Sequence, residues 1–243
     1  MEDSFKKVFS DKNKILVVMA HPDDNEIICG GIVARLIKEG KKVRVVAITN
    51  GGKGMRDRTD VNEEQFAKIR VEEQMKAGLE LGLLREDMFN LGIPDGEVED
   101  SLDNIEKIVY HIREFKPDII ITHNPEEKIN TFSKDVRWVN HRDHRHTAVM
   151  VLDAAYPFSR DTAFFPHQLK QGLTPHHVAQ FLFSDYYTHP EALGFEVSEY
   201  LDVRRKALEQ HANGLSKEEV DGMMQEIGRD GGNFEILRYV NAD

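Results

Sequence analysis

The chain alternates short, unbroken apolar runs with longer segments in which apolar residues recur every three or four positions. The clearest runs are Lys14–Ala20 (KILVVMA), Val43–Thr49 (VRVVAIT) and Asp118–Thr122 (DIIIT). Their length and β-branched content predict strands buried on both faces, because a strand with one wet face would alternate apolar with polar residues. Between them, Ile27 to Glu39 has helical spacing and stops at Gly40, and Leu102–Phe115 reads as another helix. Asn62 opens a long helix, with Gln65 placed to cap it. Met88–Leu91 is a weaker strand. This alternation predicts an α/β fold, a Rossmann-like and mostly parallel sheet with helices on both faces.

The second half is less regular. His144–Ala155 and Val203–Ala212 read as helices, Gln180–Ser184 (QFLFS) as a late strand, and Arg160 to His177 as a loop-rich stretch. Ser216 and Glu219 form a capping-box pattern that opens a final helix. No internal repeat, low-complexity tract or linker divides the chain, and 243 residues suit one domain.

Composition narrows the function classes. Apolar residues make up 40% and charged residues 31%, as in an ordinary globular protein. The formal charge of −11 argues against a nucleic-acid partner, which would need a basic face, but leaves neutral sugars open. No apolar run is long enough to span a membrane. Met1 to Ser10 mixes charges with Phe and lacks a signal-peptide core, so a cytoplasmic protein is expected. The single cysteine, Cys29, rules out an intramolecular disulfide, suits the same compartment and reads as a small buried helix residue.

Ligands of open α/β sheets bind beyond the carboxyl ends of the strands. His21, the Thr49–Gly52 segment and His123 all follow predicted strands directly. The first chemical cluster is Ala20-His21-Pro22-Asp23-Asp24-Asn25-Glu26. A catalytic zinc site needs about three protein donors and a position for water. His21 and Asp24 are spaced to share an ion, while Asp23 would point elsewhere, free to take a proton. The acids could equally cap the next helix, where carboxylates complement the dipole, though capping leaves the histidine unexplained. The second cluster, Asn140 to Thr147, holds His141, His144 and His146. His141 and His144 share a helix face if that turn is helical. One could bind metal and the other meet substrate, with Asp143 orienting an imidazole.

Together these motifs resemble the PIG-L/LmbE-like family of zinc-dependent N-acetylglucosaminyl deacetylases. The Ala-His-Pro-Asp-Asp-x-Glu block is matched by Ala20 to Glu26, and a later His-x-Asp-His block by His141, Asp143 and His144. Arg142 stands where that second block usually has proline. Arg70-x-x-Glu73, Leu81-Gly82, Pro94-Asp95-Gly96, Pro117-Asp118, Gly172-Leu173-x-Pro175-His176 and Lys206-x-x-x-x-His211 continue the likeness. It covers about residues 14–212 of a single domain 1–243, with 213–243 expected to be a helical C-terminal extension. Asn213-Gly214 replaces the Ser-Gln found in many relatives.

The resemblance implies removal of an acetyl group from an N-acetylated amino sugar or its conjugate. It implies zinc held by His21, Asp24 and His144, with Asp23 as general base. His141 would stabilise the oxyanion in protonated form or protonate the leaving amine, and Asp143 would orient His141. Such an ion acidifies its water and polarises the acetyl carbonyl. Arg70 and His176 are implied as substrate-binding residues, the latter from a loop over the cleft; an ion pair of Arg70 with Glu73 and an ordinary loop residue are the plainer readings. Other divalent metals would also suit an N/O donor set. A homo-oligomer is compatible with the resemblance.

Some features stay outside this scheme. Asn50-Gly51-Gly52-Lys53-Gly54 lacks both the Walker and the dinucleotide spacing and reads as a flexible active-site loop. His123 and His146 lie near the clusters without a role. Arg142, Arg145, Arg160 and Lys170 could rim the site for an anionic substrate, but scattered charge explains them better. The competing functions are an amidase for a larger acyl group or thiol conjugate, a metal-dependent sugar-binding protein, and a nucleotide-binding regulator. The spare carboxylate of Asp23 disfavours the second, and the missing glycine fingerprint disfavours the third.

Overall fold

A computed structural model describes residues 1–56, 58–131, 137–184, 189–228 and 232–243. The apolar runs become the core of a seven-stranded sheet. In chain order its strands are β1 (Lys14–Met19), β2 (Lys42–Thr49), β3 (Met88–Ile93), β4 (Ile119–Thr122), β7 (Gln180–Ser184), β8 (Ala192–Glu196) and β9 (Phe234–Asn241). Their spatial order is β3-β2-β1-β4-β7-β9-β8, and β1, β2, β3, β4 and β7 pair in parallel. Strand β9 runs antiparallel to both of its neighbours, β7 and β8. A short hairpin of β5 (Ile129–Thr131) and β6 (Arg137–Val139) stands apart.

Alternation along each strand feeds two cores, which is why the runs look continuously apolar. Ile15, Val17 and Met19 of β1 pack on one face with α1 (Phe5–Phe9), α2 (Asp24–Lys38), α3 (Glu63–Leu81) and later helices. Leu16 and Val18 pack on the other with α4 (Leu102–Phe115) and α5 (Arg142–Asp153). Asn62 caps α3 as expected: its side chain accepts the Gln65 amide at 2.9 Å, and the Gln65 side chain accepts the Asn62 amide at 3.0 Å. Gly82, with φ +93°, ends the helix. The loop-rich stretch contains one short helix, α6 (Pro166–Lys170).

The C-terminal extension departs from expectation. After α7 (Leu201–Glu209) and α8 (Lys217–Ile227), the chain forms β9, inserted between β7 and β8, so this segment is not simply helical. The strand was hard to read because Glu235, Arg238 and Asn241 interrupt its apolar pattern. Glu235 is buried for a reason. Helix α2 breaks at Cys29 (φ −145°), and the amides of Gly31 and Ile32 just beyond donate to Glu235 at 2.8 and 2.7 Å. Arg204 of α7 pairs with Glu235 at 3.0 Å and donates to the Ile27 carbonyl at 2.8 Å. Gly31 permits this approach, since a Cβ there would fall 2.8 Å from Val197 Cβ. The C-terminal part thus completes the helix that begins in the first chemical cluster.

Candidate active site

The order β3-β2-β1, then β4 onward on the opposite side, places the reversal between β1 and β4. A crevice opens at such a reversal, at the carboxyl ends of the strands. His21 follows β1 and His123 follows β4, so both reach it. The turn after β1 enters α2 at Asp24, three residues earlier than the apolar spacing suggested. Its geometry is fixed by the His21 amide, which donates to Asp24 Oδ2 at 2.7 Å. Helix α5 likewise starts at Arg142, with His141 as its N-cap.

Three donors converge there. His21 Nδ1 lies 3.1 Å from His144 Nε2 and 3.3 Å from Asp24 Oδ2, while Asp24 Oδ1 lies 3.3 Å from His144 Nε2. The three side chains thus approach one another pairwise through both oxygens of Asp24, and two imidazole nitrogens with a carboxylate are a donor set that suits a small divalent cation. The other nitrogen of His21, Nε2, is flanked by Asp95 Oδ1 at 3.4 Å and Asp143 Oδ2 at 3.5 Å. That is how a metal-binding imidazole is commonly oriented. Burial alone would lower the His21 pKa. The Asp24 charge and contacts with Asp143 and Asp95 outweigh it and hold the ring well above its ordinary value.

His123 and His141 adjoin this trio without sharing its exposed lone pairs. A nitrogen of each falls within 4.8 Å of two members, His123 with Asp24 and His144, and His141 with His21 and His144. His123 Nε2, however, accepts the Ala20 amide at 3.0 Å, and its ring stacks on His144 at 4.0 Å. Burial, with the His144 charge, lowers its pKa to about 4, so it stands neutral beside Asp24. His141 Nδ1 accepts the Asp143 amide at 3.2 Å, which places the neutral ring's proton on Nε2. Burial and the His21 and His144 charges push the His141 pKa down.

The neighbouring carboxylate faces the other way. Asp23 Oδ2 pairs with Arg70 Nη2 at 2.7 Å, and Arg70 Nη1 bonds Glu73 at 3.0 Å. Arg70 is buried, so its pair with Glu73 is no surface pair. It lies at the site, bound to Asp23.

Several expected roles change. The Asp143 carboxylate lies against His21, not His141; it also accepts the Gly96 amide at 2.6 Å, and only its backbone reaches His141. Asp95, noted only as part of a motif, joins it and also accepts the Lys53 amide at 3.1 Å, which ties the Asn50–Gly54 loop to the site. Arg142, in place of proline, donates to the Gly96 and Val98 carbonyls and fastens the loop carrying Asp95. Arg145 reaches the Asn140 carbonyl and Arg160 sits over Tyr156, so these cations form no shared rim. His146 pairs with Asp100 at 2.9 Å. His176 does not cover the cleft. Its Nε2 donates at 2.7 Å to the carbonyl of Pro117, before β4, while the site lies beyond the far end of that strand. At about 3.3 Å of rise per residue, the separation is on the order of 15 Å.

No helix among the described residues is long and apolar enough to cross a membrane. A diacetylchitobiose deacetylase from Thermococcus kodakarensis is 28% identical over 203 residues, covering 84% of this chain and 70% of the relative. A probable N-acetyl-alpha-D-glucosaminyl L-malate deacetylase 2 from Bacillus subtilis is 25% identical over 89% of this chain and 87% of its own length. Among solved structures, an N,N'-diacetylchitobiose deacetylase from Pyrococcus horikoshii superposes with a TM-score of 0.83, at 23% identity, over 98% of this chain and 87% of that one. The fold also serves a hydratase, GalB of Pseudomonas putida, at a TM-score of 0.73, 16% identity and 94% and 96% coverage, so the fold alone does not name the reaction. The model of the PIG-L family, GlcNAc-PI de-N-acetylase, matches residues 16–155, more than half of the sequence, and the chain therefore belongs to the PIG-L family.

Proposed function

We propose that this protein is a metal-dependent hydrolase that removes the acetyl group from an N-acetylglucosamine-type sugar or its conjugate, with zinc as the ion. The observation that carries the reading is the convergence of His21 Nδ1, Asp24 and His144 Nε2 at 3.1–3.3 Å, with Asp23 turned away beside them. Two imidazole nitrogens and one carboxylate suit zinc and leave a coordination position open. The named deacetylase relatives supply the substrate class.

When bound, the ion acidifies a water and polarises the acetyl carbonyl. Asp23, with Oδ2 held by Arg70, takes the proton from the attacking water through its other oxygen. His141 presents its Nε2–H to the carbonyl oxygen as negative charge develops there. The neutral ring suffices for this, so the prior protonation suggested by the family likeness is unnecessary. When the C–N bond breaks, the proton that Asp23 took from the water passes to the amine nitrogen, giving acetate and a free amino sugar. Asp95 and Asp143 keep His21 turned toward the other two donors.

The test is acetate and primary-amine release by zinc-loaded protein from N-acetylglucosamine, diacetylchitobiose and N-acetylglucosaminyl conjugates. Release from at least one supports the reading. If every N-acetyl sugar stays intact while a longer-acyl amide is cleaved, the protein is instead an amidase for larger acyl groups.

A further inference from the structure

The turn after α7 reaches the site from behind. Asn213 donates to Glu73 Oε1 twice, from its backbone amide at 2.9 Å and from its side-chain amide at 2.7 Å. Glu73 holds Arg70 through its other oxygen at 3.0 Å, and Arg70 holds Asp23 at 2.7 Å. Next to Asn213, Gly214 lies against the guanidinium. A Cβ at this position would fall 2.1 Å from Arg70 Nη1 and 2.4 Å from its Cζ, an overlap that would force the group to move. The turn is itself anchored, because His211 Nε2 meets Glu26 Oε2 at 3.1 Å and the Gly214 and Leu215 amides return to the His211 carbonyl at 2.9 and 2.8 Å. Arg58 also bonds the Asn213 side chain.

We infer that Asn213 and Gly214 are positioning residues for Asp23, acting through Glu73 and Arg70: the first fixes the Glu73 carboxylate, and the second leaves the space in which Arg70 reaches Asp23. This rests on the reading of Asp23 as the base. The geometry is demanding because a guanidinium is a rigid planar fork. An aspartate held through one oxygen must present the other to the attacking water, and displacement of about 1 Å at such a group can cost on the order of a hundredfold in rate.

A double-mutant cycle between Gly214→Ala and Arg70→Ala tests the inference, with kcat, KM, bound zinc and Tm measured on each preparation. Gly214→Ala is expected to lower kcat about tenfold to a hundredfold, with KM and zinc content held. In the Arg70→Ala background it should cost nothing further, because the clashing group is gone. A crystal structure of Gly214→Ala should show Arg70 displaced from Asp23. Asn213→Ala, which keeps the backbone donor and adds no clash, is expected to lower kcat severalfold and serves if Gly214→Ala does not fold. Equal losses in both Arg70 backgrounds, or a lowered Tm with kcat intact in either variant, would overturn the inference. Failure of the parent reading looks different, since metal-replete Asp23→Asn would then retain its kcat.

Discussion

Asp23 and Asp24 are adjacent in sequence and face opposite halves of the site. Asp24 is enclosed by imidazoles, with His21, His123 and His144 all within 3.3 Å of its carboxylate. Burial would raise its pKa, but the adjoining imidazoles, His144 foremost, hold it well below the usual carboxylate range. Asp23 faces a guanidinium, which is a permanent cation and offers no lone pair. A metal can join the first group, because imidazoles surrender protons and expose donor nitrogens, and cannot be shared with the second. Two like residues thereby receive different tasks from the elements that meet them, α5 and β4 on one side, α3 and the turn after α7 on the other.

The largest effect that would separate the halves is loss of the ion. His144→Ala is expected to abolish acetate release and to lower the zinc found by elemental analysis well under one per chain. Chelation of the wild type should do the same, reversibly on adding zinc. Activity indifferent to chelator would remove the metal from the histidine side altogether.

Asp23→Asn comes next. The variant should bind zinc normally and keep nearly all its stability, with turnover reduced about a hundredfold to ten-thousandfold. Asp24→Asn, one residue on, should weaken zinc binding as well. If Asp23→Asn also loses zinc, the two carboxylates share one task and the division fails.

A smaller effect is expected from Asp143→Asn, since Asp143 supports His21 from its outer nitrogen and is not one of the three donors. Competition with a chromophoric chelator should show zinc affinity reduced about 10- to 100-fold. Unchanged affinity would mean that Asp95 alone orients the ring.

His176→Ala should have the smallest effect. Its bond to Pro117 lies far from both halves, so kcat and KM should hold while denaturant unfolding shows a loss of about 0.5–1.5 kcal/mol. A raised KM would return His176 to the substrate.

The parts of the fold legible in the sequence were those with local signals. The strands before His21 and His123 are continuous apolar runs, and the Asn62 cap is complete within four residues. Spacing alone paired His21 with Asp24 and left His141 and His144 as alternatives; it was the family likeness that singled out His144. What escaped depends on pairing across the chain. Asp95 belongs with His21 only after β2 and β3 are aligned, and the target of Asp143 depended on which imidazole faced it once the Gly96 loop was in place. Three-residue strands such as β5 and β6 carry too few positions for a period to show. Strand β9 hides its character behind a buried glutamate whose purpose appears only beside the break in α2.

That break bears on how the protein is made. Glu235 lies 204 residues after Gly31 in sequence, and Arg204 lies 177 residues after Ile27. During synthesis, the helix that opens at Asp24 emerges long before the side chains that satisfy its interrupted backbone. At roughly 5–20 residues per second, the nascent chain carries the open amides of Gly31 and Ile32 for on the order of ten seconds or more. The parallel strands and their motifs can gather early, but the helix beneath the histidine turn is finished only when the last strand arrives.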